Sequence, residues 1–381
     1  MDTEVDLTLC RIVAESADRL VSTQVYGSGG AAALTNKNLT LELYDAARKF
    51  HGEPLSYLAA TALIDRVKPR DIVLICTGFF DPPSMIDESD GPVGAVHLAR
   101  ALCVAFDATP VFLTEVANMG RMAKLAQSVG LEVLDVETAR TTPYKAAVLP
   151  IPIDHERARK EAARVMDEYK PVAMVSIEKP SPSKAGRYHT GVGLDVTDTL
   201  GKVDHFVDAA HANGVLTIGI GDGGNEIGLG NILDEVIDIV PGGEKIGAAC
   251  KADILVLASI ANWGSYAIEA CIAAALHKPE VLHSLADERR VVDGSVNAGF
   301  IDPATGIPNG WIDGTPPICS ESILELLRQM VELRLTARYR PNSMLNFPKR
   351  WIASGVAEDS VKFWADRLAK DEEAFFANRG A

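Results

Sequence analysis

Apolar residues recur at Leu9, Ile12, Val13, Ala17, Leu20 and Val21, three or four positions apart, which predicts a helix over residues 7–22. Leu39–Phe50 and Leu55–Val67 repeat that period, so residues 1–70 read as a helical preface. Gly27-Ser28-Gly29-Gly30 interrupts it and predicts a loop. From Asp71 the period changes. Ile72–Cys76, Thr109–Glu115, Leu131–Val136, Pro171–Ile177, Val215–Ile220 and Asp253–Ile260 are short, nearly continuous apolar runs. That is the pattern of strands buried on both faces. Helical patterns fall between and after them at Val93–Phe106, Arg121–Val129, His155–Tyr169, Val203–Ala212, Ser265–Leu276 and Glu321–Leu333. Asp81-Pro82-Pro83-Ser84 predicts a stiff loop, prolines interrupt the pattern across 140–155, and residues 281–318 show no clear period.

Strands alternating with helices predict an α/β fold: a mostly parallel sheet flanked by helices, in three layers. The expected organisation is a helical N-terminal segment (1–70), an α/β catalytic domain (71–337) and a C-terminal helical tail (338–381). A chain of 381 residues, 47% of them hydrophobic, can bury a sizeable core. The net charge of −15, without a Lys/Arg run, argues against nucleic acid or an anionic membrane as partner. No apolar run reaches membrane-spanning length, and Met1–Asp6 has the profile of neither a signal nor a transit peptide. Six scattered cysteines without CxxC spacing predict free thiols in a reducing compartment. The expectation is a cytoplasmic protein acting on a small molecule.

The chemistry concentrates where Val215–Ile220 runs into Gly221-Asp222-Gly223-Gly224-Asn225-Glu226. A loop at the carboxyl end of a parallel strand is where open α/β sheets place ligands. Asp222, Asn225 and Glu226 are hard oxygen donors that suit Mg²⁺, Mn²⁺ or a polar amino acid. Gly219-x-Gly221-x-x-Gly224 matches the dinucleotide fingerprint in form, but Asp222 inside the turn would repel a pyrophosphate. No nucleotide cofactor is expected. Three other strand ends carry polar residues on the same sheet edge: Glu88 and Asp90, Glu178 and Lys179, and Asn262 and Trp263. Taken singly, Asp90 reads as a helix N-cap, Glu178-Lys179 as a solvated ion pair and Trp263 as core. Their coincidence at four strand ends favours a site. Five carboxylates around one crevice repel one another, which raises pKa values or calls for a divalent cation. His189 and His205 lack a partner histidine at ligand spacing, so no zinc site is expected. Ser176 and Cys76 lack the context of an acyl-transfer nucleophile.

Several motifs in the same order resemble the D-glutamate cyclase family. They are Thr77-Gly78-Phe79, Glu88-Ser89-Asp90-Gly91-Pro92, Ile177-Glu178-Lys179-Pro180, Gly219 to Gly230, and Asn262-Trp263-Gly264-Ser265. A looser segment is Ala298-Gly299-Phe300-Ile301-Asp302, and the likeness covers about residues 70–330. Pro303 stands where the resemblance leads one to expect a glycine, and the loop 181–195 has no match. The resemblance implies conversion of D-glutamate to 5-oxo-D-proline with loss of water. On that basis Glu88, Asp90, Asp222 and Glu226 are the expected ligands of a divalent cation, Mn²⁺ or Mg²⁺. Glu178 is the expected base. Lys179 or the Gly223 and Gly224 amides would hold the substrate carboxylate beside Trp263, and Asn225 or Asn262 would donate to the oxyanion. The same carboxylates suit a manganese-dependent phosphatase of a small phosphate ester, and a non-catalytic amino-acid-binding protein is a third reading. The terminal helices are candidates for a homodimer interface.

Overall fold

The strand-rich middle of the chain builds one seven-stranded sheet, and its order explains where the polar strand ends meet. The structure, a computed structural model, describes residues 5–25, 37–81, 84–337 and 354–377. The Gly27–Gly30 loop, Pro82-Pro83 and residues 338–353 of the tail lie outside the described residues.

The strands are β1 (Ile72–Thr77), a small hairpin of β2 (Phe80–Asp81) and β3 (Ile86–Asp87), β4 (Thr109–Thr114), β5 (Glu132–Val133), β6 (Lys145–Pro150), β7 (Ala173–Ile177), β8 (Leu216–Gly221) and β9 (Ile254–Leu257). The large sheet runs β5-β6-β4-β1-β7-β8-β9, parallel throughout. From β1 the chain leaves to one side through β4 and later returns on the other through β7. The crevice between β1 and β7 is therefore a topological switch point, the usual ligand position in such sheets. Register levels the ends: Thr77 lies opposite Ile177, Ile177 opposite Ile220, and Gly221 opposite Leu257. The residues that follow these strands share one edge.

Ahead of the sheet come α1 (Leu7–Val21), α2 (Leu39–His51) and α3 (Leu55–Arg66). Within and after it come α4 (Pro92–Phe106), α5 (Met119–Gln127), α6 (Val136–Thr141), α7 (His155–Tyr169), α8 (Asp204–Ala212), α9 (Leu233–Ile239), α10 (Gly243–Ile246), α11 (Ala261–Leu276), α12 (Leu285–Ala298) and α13 (Pro317–Ala337). A last helix spans Val356–Ala377. Ile72, Leu74 and Cys76 of β1 pack with α6, α7 and α8 in one core, while α3, α4 and α11 cover the opposite face. The preface helices α1 and α3 pack against α11. Residues 1–331 form one compact unit and 332–381 a second. No described helix is long and apolar enough to cross a membrane, and all six cysteines are free thiols.

Three expectations need correction. The predicted strand 131–136 shrinks to β5, because Asp135 caps α6 by accepting from the Thr138 amide at 2.9 Å. The strand β6 lies in the stretch that prolines obscured; Pro150 is its last residue, where a missing N–H costs least. The unreadable stretch 281–318 contains α12, which opens with a capping box of Ser284 and Asp287.

Every residue of α11 is buried, and a helix enclosed all round must satisfy its own polar groups. Glu269 does so at one oxygen, its Oε2 lying 2.7 Å from the His283 Nδ1. Tyr266 donates to Glu288 of α12 at 2.9 Å, and His97 of α4 stacks on His283 with ring centroids 3.6 Å apart. Burial alone would lower the His283 pKa, but Glu269 and Glu288 outweigh it and hold it up at about 9. A histidine raised from about 6.5 stabilises the fold fully below pH ~6.5, and that contribution is lost as pH rises through 9. The expected result is a melting temperature that falls between pH 7 and 10, by an amount that for this group corresponds to about 3 kcal/mol. In His283→Gln the alkaline limb should flatten, which thermal unfolding across that pH range would check.

Candidate functional site

The site edge is built on two helix starts that cap each other. Asp90, just ahead of α4, accepts at Oδ1 from the Asn262 amide and at Oδ2 from the Ala261 amide, both at 2.9 Å, and so caps α11. Asn262 in turn accepts at Oδ1 from the amides of Gly91 (2.9 Å) and Gly94 (2.6 Å), and so caps α4. The helices touch here: a Cβ on Gly94 would lie 2.8 Å from the Asn262 Cα. Asp90 thus caps the other helix, not the one it precedes. Asn262 also donates to the Ser89 carbonyl at 3.2 Å, so both ends of its side-chain amide help to join the two helix starts.

The glycine-rich loop after β8 turns back on itself. Gly219 faces the returning chain so closely that a Cβ would lie 2.1 Å from the Ile227 carbonyl oxygen. This glycine serves the loop's own return. Glu226 curls under the loop and accepts from the Gly223 amide (2.9 Å) and the Gly224 amide (2.8 Å). Those amides were the expected seat of a substrate carboxylate; they are already occupied by Glu226. Asn225 donates to the His189 carbonyl at 2.9 Å, and its own carbonyl accepts from Ser181, tying the loop 181–195 to the site.

Five carboxyl groups converge at this edge: Asp90, Glu178, Asp222, Glu226 and Asp313. Glu178 sits at φ 48°, a conformation non-glycine residues seldom adopt, and its buried Oε2 has no hydrogen-bond partner. Burial, then Asp222, Glu226, Asp90 and Glu88, hold its pKa well above the carboxylate range. Asp222 keeps an opening to solvent. Its pKa is also well raised, first by desolvation and then by Asp313 and Glu226. Asp313 behaves likewise, by burial and by Asp90 and Asp302. Asp90 is pushed to about 6 by burial, against the three amides that favour its charge. Two donor sets have oxygens within 4.8 Å of one another: Asp90, Asp222 and Asp313, and Glu178, Asp222 and Glu226. Asp222 is common to both. Neither set includes Glu88, which is buried and bridges by backbone to Ile301.

Lys179 points elsewhere than expected. Its ammonium donates to Glu115 at 2.6 and 2.8 Å and to the Gly78 carbonyl at 2.6 Å, and it is 1% exposed. Burial would lower its pKa, but Glu115 raises it overall. With three acceptors, it has no hydrogen left for a substrate carboxylate. Asp87 beside it is pushed to about 8 by burial and by Glu115. Trp263 is core: it is fully buried and its indole donates to Ser320 at 2.9 Å. Asp302 accepts from the amides of Thr305 (3.1 Å) and Gly314 (2.8 Å), which holds Asp313 in place, and Pro303 leaves both bonds intact. Residue-type reasoning overlooked Asp313, Glu115 and Asp87; the Asp313-Gly314 turn was the one local signal for the first.

A parallel α/β sheet that gathers carboxyl groups around a partly open Asp222 at its switch point defines an acidic, small-molecule type of site. The family described as D-glutamate cyclase-like, C-terminal, matches residues 26–328. The chain belongs to this family. The match starts earlier than the motifs and takes in α2 and α3. The human protein named D-glutamate cyclase, mitochondrial, is 29% identical over 209 residues, which take in 51% of this chain and 32% of that protein. The chain thus spans about a third of that relative's length.

Proposed function

We propose that the chain cyclises D-glutamate to 5-oxo-D-proline with loss of water, at the carboxyl cluster around Asp222. The family membership and the human relative's name support the reaction; the orphaned, buried Glu178 carboxyl carries the assignment to this place. In the reaction the α-nitrogen bonds to the γ-carboxyl carbon and one γ-oxygen leaves. The two protons the ammonium gives up equal the two that the departing oxygen needs to become water. A carboxyl group that takes a proton from nitrogen and passes it to oxygen therefore balances the chemistry. Glu178 fits that role, because burial and the neighbouring carboxyl groups raise its pKa well above the carboxylate range and so favour its holding a proton, and its Oε2 has no other hydrogen-bond partner.

The cluster fits a divalent cation. Asp222, Asp313 and Asp90 offer hard oxygens within reach of one another, and their mutual repulsion is what a cation would relieve. Held there, Mg²⁺ or Mn²⁺ would supply the positive charge that makes a γ-carboxylate electrophilic. Asp90 and Asn262 position the two helix starts, and Glu226 keeps the glycine loop closed beneath the substrate.

The variant Glu178→Gln tests the proton role. Glutamine imitates the protonated acid, so at neutral pH the protein should be at least as stable as the parent. A carboxyl with a raised folded pKa loses its stabilising effect as pH climbs through that value, and glutamine has no such loss. Turnover should drop by about 10²–10⁴-fold. Near-parental turnover would remove Glu178 from the mechanism.

A further inference from the structure

His205 has a partner that spacing along the chain conceals. His155, fifty residues earlier, brings its Nδ1 to 3.0 Å from the His205 Nε2. Asp204 completes a group of three whose donor atoms lie within 4.8 Å of one another. None of the three belongs to the carboxyl cluster. The expectation that His205 has no histidine beside it is therefore corrected.

The geometry points to a second metal site here, for a divalent transition ion of the zinc type. Zinc binds imidazole nitrogen at about 2.0–2.1 Å in a tetrahedron, which sets two such nitrogens about 3.3–3.4 Å apart. The pair needs to open by a few tenths of an ångström, and His155 is exposed and free to turn. Both imidazoles stand at helix starts, His155 as the first residue of α7 and His205 as the second of α8. Asp204 is oriented from behind, because the buried Tyr188 hydroxyl donates to its Oδ1. A ligand held by an outer hydrogen bond is the usual arrangement at protein metal sites.

Two imidazoles and one carboxylate leave the fourth position of a zinc tetrahedron to water. The ion would clasp α7 to the segment that ends the 181–203 loop. That segment already sits against the end of β6, where the Lys202 amide donates to the Pro152 carbonyl at 2.9 Å. The other end of the same loop is bonded to Asn225. The clasp therefore anchors a loop that reaches the acidic site.

The test uses untagged full-length protein stripped with a chelator, titrated with Zn²⁺ by calorimetry in excess Mg²⁺. Co²⁺ is used in parallel, because its visible absorption reports nitrogen ligands. The parent should bind Zn²⁺ at micromolar concentration or below. His155→Ala, His205→Ala and Asp204→Asn should each weaken it about tenfold or more. His205 is mostly enclosed, so its variant reads folding as well as binding, and the exposed His155→Ala is decisive. Zn²⁺ affinity and Co²⁺ spectrum unchanged in His155→Ala would overturn the site, as would a parent that binds no Zn²⁺ in this range. Loss in His155→Ala with D-glutamate turnover unchanged in zinc-free buffer would separate this site from the acidic one.

Discussion

Asp222→Asn should fold normally and lose turnover by about 10²–10⁴-fold. Asp222 is the carboxylate shared by both donor sets, and it is the member of the cluster that keeps an opening to solvent. Glu226 and Asp90 each have both oxygens tied to backbone amides, so neither can move into its place. Desolvation and the charges of Asp313 and Glu226 hold its pKa far up, so ionising it opposes folding. The neutral amide removes that repulsion. Melting at neutral pH should therefore match or exceed the parent, and product formation from D-glutamate is the activity readout. A variant that stays folded and turns over normally would contradict the placement of the site.

Lys179→Met should cost the most stability, about 3–5 kcal/mol. Its ammonium is the buried counter-charge of Glu115, and removing it leaves Glu115 buried without its ion-pair partner. A buried charge left without its partner is far more costly than a missing pair. Denaturant unfolding should show the midpoint move down with little change in slope. Lys179→Met combined with Glu115→Gln should recover part of the loss, because the second change removes the orphaned charge. Equal stability in Lys179→Met and the parent would mean the pair does not hold the strand ends together.

These two residues also show how far the sequence could be read. The strands β1, β4, β7 and β8 were legible because parallel strands buried on both faces leave continuous apolar runs. The strand β6 was not, because prolines at 143, 150 and 152 erase the pattern while pairing with β4 supplies the stability. The site's location was legible from polar residues at four strand ends. Their duties were not, because duty depends on partners far away in the chain. Asp90 meets the Ala261 and Asn262 amides across some 170 residues, and Lys179 meets Glu115 across 64. Residue type and spacing carry no information about such pairs. Asp313 escaped for a different reason: it lies in a stretch without periodicity, and the Asp302 carboxylate, which accepts from the Gly314 amide, rather than a regular element holds it near Asp222.

The central claim is best tested by following D-glutamate with the purified protein in two samples, one supplied with Mg²⁺ and Mn²⁺ and one with a chelator. Aliquots are stripped of metal and read by proton NMR. The account predicts 5-oxoproline in the metal-supplied sample and little or none with chelator. No 5-oxoproline in either sample, with a small phosphate ester hydrolysed in the presence of Mn²⁺, would contradict it and assign the same carboxylates to phosphate-ester chemistry.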